Sequence, residues 1–166
     1  MIAPWEQKLT DRIHAWGKPN YKLWYFFAVH LFGIYAVVWV VFALLGWLVW
    51  WQVPLLAFSS WILTISTQQL VGRPRPKFEE STGYKMWWKT YSMPSGHALI
   101  TSALGTGMLL QSQIPYPGLC IALAVVFFIT NILVDIGRVV VGVHYFGDVV
   151  VGFVLGIAFG VVFSVL

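Results

Sequence analysis

Three long stretches of the chain carry no Asp, Glu, Lys or Arg: residues 23–72, 90–134 and 149–166, of 50, 45 and 18 residues. A membrane crossing takes about 20 apolar residues as a helix, so the first two stretches each suit two crossings and the last suits one. The first breaks at Trp50-Trp51-Gln52-Val53-Pro54, where paired tryptophans fit a membrane–water interface and the proline fits a turn. The second breaks over residues 111–118, which hold two prolines and a glycine. The pattern predicts spans near 23–47, 55–71, 95–110, 119–134 and 148–166. The expected fold is all-α, a multi-pass transmembrane bundle of five to six spans.

Ahead of the first span, Trp5, Leu9, Ile13 and Trp16 recur at spacings of three and four, with Glu6, Lys8, Asp11, Arg12 and Lys18 between and after them. That is the pattern of an amphipathic helix lying in the interface, with a frayed arm as the alternative. Residues 1–22 are therefore set apart from a transmembrane domain over 23–166. Composition agrees: 59% of residues are apolar and 10% charged, which excludes a soluble domain whose surface must face water and a nucleic-acid binder. Cys120 is the one cysteine, so neither a disulfide framework nor a cysteine metal site is expected. The N-terminus mixes charges of both signs before Leu23 and does not read as a cleavable signal.

With five spans, all ten Lys and Arg residues fall on one side of the membrane, which the positive-inside rule makes cytoplasmic. In the last span Gly152, Gly156 and Gly160 form a small-residue ridge. Packing within the chain is the first reading of it, and a homodimer seam is the second.

Three polar islands stand at span ends. The first is Gln68-Gln69-Leu70-Val71-Gly72-Arg73-Pro74-Arg75-Pro76-Lys77. Its prolines stop a helix and hold the chain extended, so Arg73 and Arg75 point to opposite sides. One can bind an anion in bidentate fashion while the other reaches lipid headgroups; a plain basic flank is the simpler reading. The second island, Pro94-Ser95-Gly96-His97, opens a span. A helix N-terminus there offers free N–H groups and a positive dipole end to an anion. Ser95 can cap the helix or bond the anion, Gly96 lets it approach, and His97 stands beside it; an ordinary serine cap explains the same residues. In the third, Arg138 precedes His144 by six residues and Asp148 follows it by four. On one helical turn, Asp148 would hold one imidazole nitrogen and leave the other nucleophilic. A stabilising His–Asp pair is the alternative, but it leaves an arginine among valines at membrane depth unexplained.

Arg75-Pro76, Pro94-Ser95-Gly96-His97 and the Arg138, His144, Asp148 spacing together resemble the three-part signature of the type 2 phosphatidic acid phosphatase superfamily. Those are membrane lipid phosphatases that share a helical core with vanadium haloperoxidases. The resemblance covers roughly residues 55–166. Three features depart from it: Gln68 stands where the family has a lysine, Gly137 where it usually has serine, and five spans are found in place of the common six.

The resemblance implies a lipid phosphatase without a cofactor or metal, its active site at the membrane interface of a cell membrane. In it His144 attacks phosphorus, Asp148 orients His144, and His97 protonates the leaving oxygen and then activates water. Arg75, Arg138, Ser95 and Gly96 would bind the phosphate, with uncharged Gln68 able to add a hydrogen bond and Lys77, Lys85 or Lys89 able to supply charge. The acidic residues are too dispersed for a two-metal cluster. Undecaprenyl pyrophosphate, phosphatidic acid and phosphatidylglycerophosphate fit as substrates. Trp87, Trp88 and Tyr91 suit an interfacial anchor or a lid. A phosphotransferase and a non-catalytic lipid-phosphate binder or transporter are the rival functions. The family works mostly on the extracytoplasmic face, against the charge count; a sixth crossing through the N-terminal helix would reconcile the two.

Overall fold

The computed structural model describes residues 2–47, 50–77, 90–111 and 116–165. They form α1 (Pro4–Gly17), a single 3-10 turn (Lys18–Asn20), α2 (Tyr21–Leu44), α3 (Gln52–Val71), α4 (Gly96–Gln111), α5 (Pro117–Val140) and α6 (Phe146–Ser164). No strand occurs among the described residues. Helices α2 to α6 answer to the five expected spans. Length and composition alone qualify the run Pro4–Leu44, Ile121–Val140 and α6 to cross a membrane, with α4 apolar but shorter. Of the break expected over 111–118, residues 112–115 lie outside the described residues, as do Lys85, Trp87, Trp88 and Lys89.

The bundle is apolar outside and partly polar inside, as a protein solvated by lipid can be. Helix α3 shows it best. Leu56, Ser60, Thr64 and Gln68, each four residues apart, form its buried stripe, while Leu55, Phe58, Trp61, Ile62 and Leu70 are exposed. Away from the charged end, Tyr35, Trp39 and Phe42 of α2 meet Leu56, Leu104, Met108, Phe127 and Val134 in the main apolar core.

Helices α4 and α6 make the most extensive helix–helix contact, and the glycine ridge is its cause. A Cβ on Gly152 would lie 2.6 Å from the Ser95 carbonyl oxygen, and one on Gly160 would lie 2.8 Å from that of Ala103. The ridge thus serves packing within the chain.

One boundary differs from the sequence pattern. Helix α5 runs on past 134 to Val140, because Asp135 and Arg138 are buried against neighbouring helices and do not mark a water-exposed end. Helix α1 packs against the ends of α5 and α6. Its residues Glu6, Thr10, His14 and Gly17 all touch the segment from Val140 to Gly147, so it lies across the charged end of the bundle. Its polar stripe faces the protein, while Trp5 and Trp16 are exposed.

Candidate active site

Helix α3 ends at Gly72, whose left-handed backbone (φ 60°) lets its N–H reach the Gln68 carbonyl. Glycine adopts this cap without the steric cost of a Cβ. The prolines that follow keep residues 73–76 out of regular structure. The Ser92 N–H then donates to the Arg73 carbonyl at 2.8 Å, and the Ser92 hydroxyl donates to the Pro74 carbonyl at 3.0 Å. The first and second islands are thereby joined. The second is joined to the third by the Ser95 N–H, which donates to the Asp148 carbonyl at 2.9 Å.

His144 is buried in the corner between α5 and α6. Its Nδ1 lies 2.8 Å from the Ser92 carbonyl oxygen. A carbonyl can only accept, so Nδ1 carries the proton and Nε2 holds the lone pair. Nε2 lies 3.4 Å from Nη1 of Arg75. Arg75 in turn is braced by hydrogen bonds to the carbonyls of Val143 (2.7 Å), Thr90 (3.0 Å) and Tyr91 (3.0 Å) and to the Thr90 hydroxyl (2.7 Å). A guanidinium is therefore fixed beside the one nucleophilic nitrogen.

The expected helical His144–Asp148 pair is not what forms. Helix α6 begins only at Phe146, so the two residues do not share a turn. The Asp148 Oδ2 is 3.7 Å from Nδ1, beyond hydrogen-bond range. Instead Oδ2 accepts the Tyr145 N–H at 2.8 Å and Oδ1 accepts Nη1 of Arg73 at 2.7 Å. The Ser92 carbonyl orients the imidazole, and Asp148 acts on it through charge alone.

Neither arginine of the first island is seen to reach outward for headgroups in the way the extended chain suggested for one of them: Arg73 is buried, with its Nη2 2.6 Å from Oε2 of Glu6 and its guanidinium 4.5 Å from the Tyr145 ring centroid. Burial works against its charge, but the hydrogen bond to Glu6 and the charges of Asp148 and Glu6 outweigh this and raise its pKa. Glu6 and Ser92, which the structure places against Arg73 and His144, were not singled out by sequence patterning.

Ser95 is fully buried, and its hydroxyl has no hydrogen-bond partner among the described residues. A buried hydroxyl in that state costs about 1–3 kcal/mol, which a phosphate oxygen would relieve. His97, in the first turn of α4, lies against Phe32 (ring centroids 4.8 Å apart) and within the field of Arg138, His144 and Arg75. Arg138 is buried. Gly96 answers a packing need: a Cβ there would stand 3.0 Å from Cγ2 of Thr64 on α3. Gln68 is buried too, and its Nε2 donates to the Pro94 carbonyl at 2.9 Å. It holds the second island in place by this bond. Gln68→Leu should orphan that carbonyl and lower stability by about 1–3 kcal/mol, read as a fall in the thermal midpoint in detergent.

Burial drives the His144 pKa down to about 4; the Asp148 interaction opposes this, and Arg75 and Arg138 add to it. An ordinary histidine titrates near about 6.5. The imidazole is therefore neutral, and able to attack, throughout the physiological range. The unfolded chain binds the proton first, so this group's contribution to stability falls as pH drops from 6.5 toward 4. Histidine-selective NMR should find the His144 imidazole still neutral at pH 5, with a signal assigned to it by its loss in His144→Asn.

A family model described as the PAP2 superfamily matches residues 48–166. No curated protein matches the chain. Among solved structures it is similar to one described as the first transmembrane PAP2 type phosphatidylglycerolphosphate phosphatase from Bacillus subtilis, with a TM-score of 0.57 and 20% identity. The match covers 98% of this chain and 76% of that one.

Proposed function

Since the chain belongs to the PAP2 superfamily, we propose that it is an integral membrane lipid phosphatase that hydrolyses a lipid phosphate monoester or pyrophosphate through a phosphohistidine on His144. The observation that carries the reading is the placing of the unprotonated Nε2 of His144 beside the guanidinium of Arg75, at 3.4 Å. Family membership and the membrane-capable helices support the lipid phosphatase; the mechanism rests on the geometry.

In the first step Nε2 of His144 attacks phosphorus and the bond from phosphorus to the lipid-side oxygen breaks. The Nδ1–H bond to the Ser92 carbonyl stabilises the positive charge that develops on the ring, and the nearby Asp148 carboxylate adds to this. Arg75, Arg138 and the Ser95 hydroxyl face the charge on the transferring phosphoryl group. His97 gives its proton to the leaving oxygen. In the second step His97 takes a proton from water, water attacks the phosphohistidine, and inorganic phosphate leaves with His144 restored. Undecaprenyl pyrophosphate, phosphatidic acid and phosphatidylglycerophosphate are the substrates to offer.

Phosphate release from these three lipids, measured in detergent with EDTA present, tests the proposal. Release into water that EDTA leaves intact supports it. Transfer to an added alcohol in place of water would favour the phosphotransferase, and tight lipid binding without turnover would favour the binder.

A further inference from the structure

Helix α6 starts at Phe146 without a Ser, Thr, Asp or Asn at its N-cap; that position is Tyr145. Its first N–H groups still need acceptors, and two of these come from α1, some 140 residues away in sequence. The Phe146 N–H donates to the Thr10 hydroxyl at 3.2 Å, and the Gly147 N–H donates to Oε1 of Glu6 at 3.1 Å. The other oxygen of Glu6, Oε2, holds Arg73 at 2.6 Å, and Arg73 holds Oδ1 of Asp148 at 2.7 Å. Thr10, Asp148, Glu6 and Arg73 are all buried. Gly147 makes the approach of Glu6 feasible, since a Cβ at 147 would collide with Oε1.

From this chain of contacts we infer that Glu6 is a positioning residue for catalysis, acting through Arg73 to set the orientation and charge balance of Asp148 beside His144. The inference rests on the proposed phosphatase reading and extends it to α1, which lies outside the residues 48–166 matched by the family model. Without Glu6, the positive charge of Arg73 is balanced by Asp148 alone. Asp148 then offers less to the imidazolium that forms during attack. The loss falls on the transition state, in which that charge develops, and not on lipid binding.

The test uses the full chain in detergent. Glu6→Gln keeps the size of the side chain and an acceptor for Gly147 but removes the charge. It should lower kcat by about 10- to 100-fold, the scale of a misplaced catalytic group, with KM within about twofold, measured well below a thermal midpoint that falls because the new amide NH2 faces buried Arg73. In an Arg73→Gln background the same substitution should add nothing. Gly147→Ala, which displaces Glu6 without altering its charge, should reproduce the kcat loss and carries the test if Glu6→Gln does not fold. Lys8→Ala, on the exposed side of α1, should change nothing. Wild-type kcat in Glu6→Gln would overturn the inference, as would a loss that multiplies with that of Arg73→Gln. If the wild-type chain releases no phosphate from any lipid, the phosphatase reading falls on its own. Histidine-selective 15N NMR then decides the Glu6 claim: displaced His144 signals in Glu6→Gln support it, and unmoved signals overturn it.

Discussion

His144→Asn should fold as the wild type does and release phosphate at less than about one-thousandth of its rate, the scale on which loss of a nucleophile is felt. Asparagine is the informative replacement because its side-chain amide can sit where Nδ1 sits. It can still donate to the Ser92 carbonyl, which is 2.8 Å from Nδ1 in the native site, so the joint between the second and third islands survives. What it lacks is any atom at Nε2. The measurement is steady-state phosphate release beside the thermal midpoint, with the midpoint at pH 7 unchanged to within a few degrees. A variant retaining a tenth of wild-type turnover would mean that His144 is not the nucleophile.

Gly156→Val should be the most disruptive single change to the fold. A Cβ at 156 would overlap the Ser102 hydroxyl and the Leu99 carbonyl of α4. The hydroxyl can rotate aside, but the carbonyl is helix backbone and cannot. Helices α4 and α6 must then move apart, at about 3 kcal/mol, the upper part of the range for overpacked cores. Separation also reaches the chemistry, because the Ser95 N–H of one island is bonded to the Asp148 carbonyl of the next across this seam. The expected result is a sharp fall in thermal midpoint and in monodisperse yield from detergent, with activity falling in parallel. Gly33→Ala on α2 is the control. Nothing lies within 4 Å of a Cβ there, and a helical glycine replaced by alanine gains up to about 1 kcal/mol.

The five long helices α2 to α6 were legible because lipid demands long uncharged runs and the chain supplies them. The three islands were legible as one site because each interrupts such a run. Local spacing misled where tertiary contacts decide. Asp135 and Arg138 read as the end of a span, yet α5 carries them because both are buried within the bundle. His144 and Asp148 read as one helical turn, yet the helix starts two residues after His144. A bond from Nδ1 to a backbone carbonyl 52 residues away leaves no trace in spacing. Spacing could not say which of Arg73 and Arg75 turns inward, because the partners of Arg73, Glu6 and Asp148, lie 67 and 75 residues off. One signal for Glu6 was present. In a helix whose apolar stripe is Trp5, Leu9, Ile13 and Trp16, the residues Glu6, Thr10 and Gly17 share another face, and a face with so small a residue as glycine suits close docking.

The most direct test of the central claim is to trap the phosphoenzyme. Wild-type protein mixed with 32P-labelled lipid phosphate and quenched within milliseconds should carry acid-labile, base-stable label on His144. The phosphoryl group should sit on Nε2, since Nδ1 is committed to the Ser92 carbonyl. Phosphate release without label on His144, or label on Nδ1 or on another residue, would contradict the account.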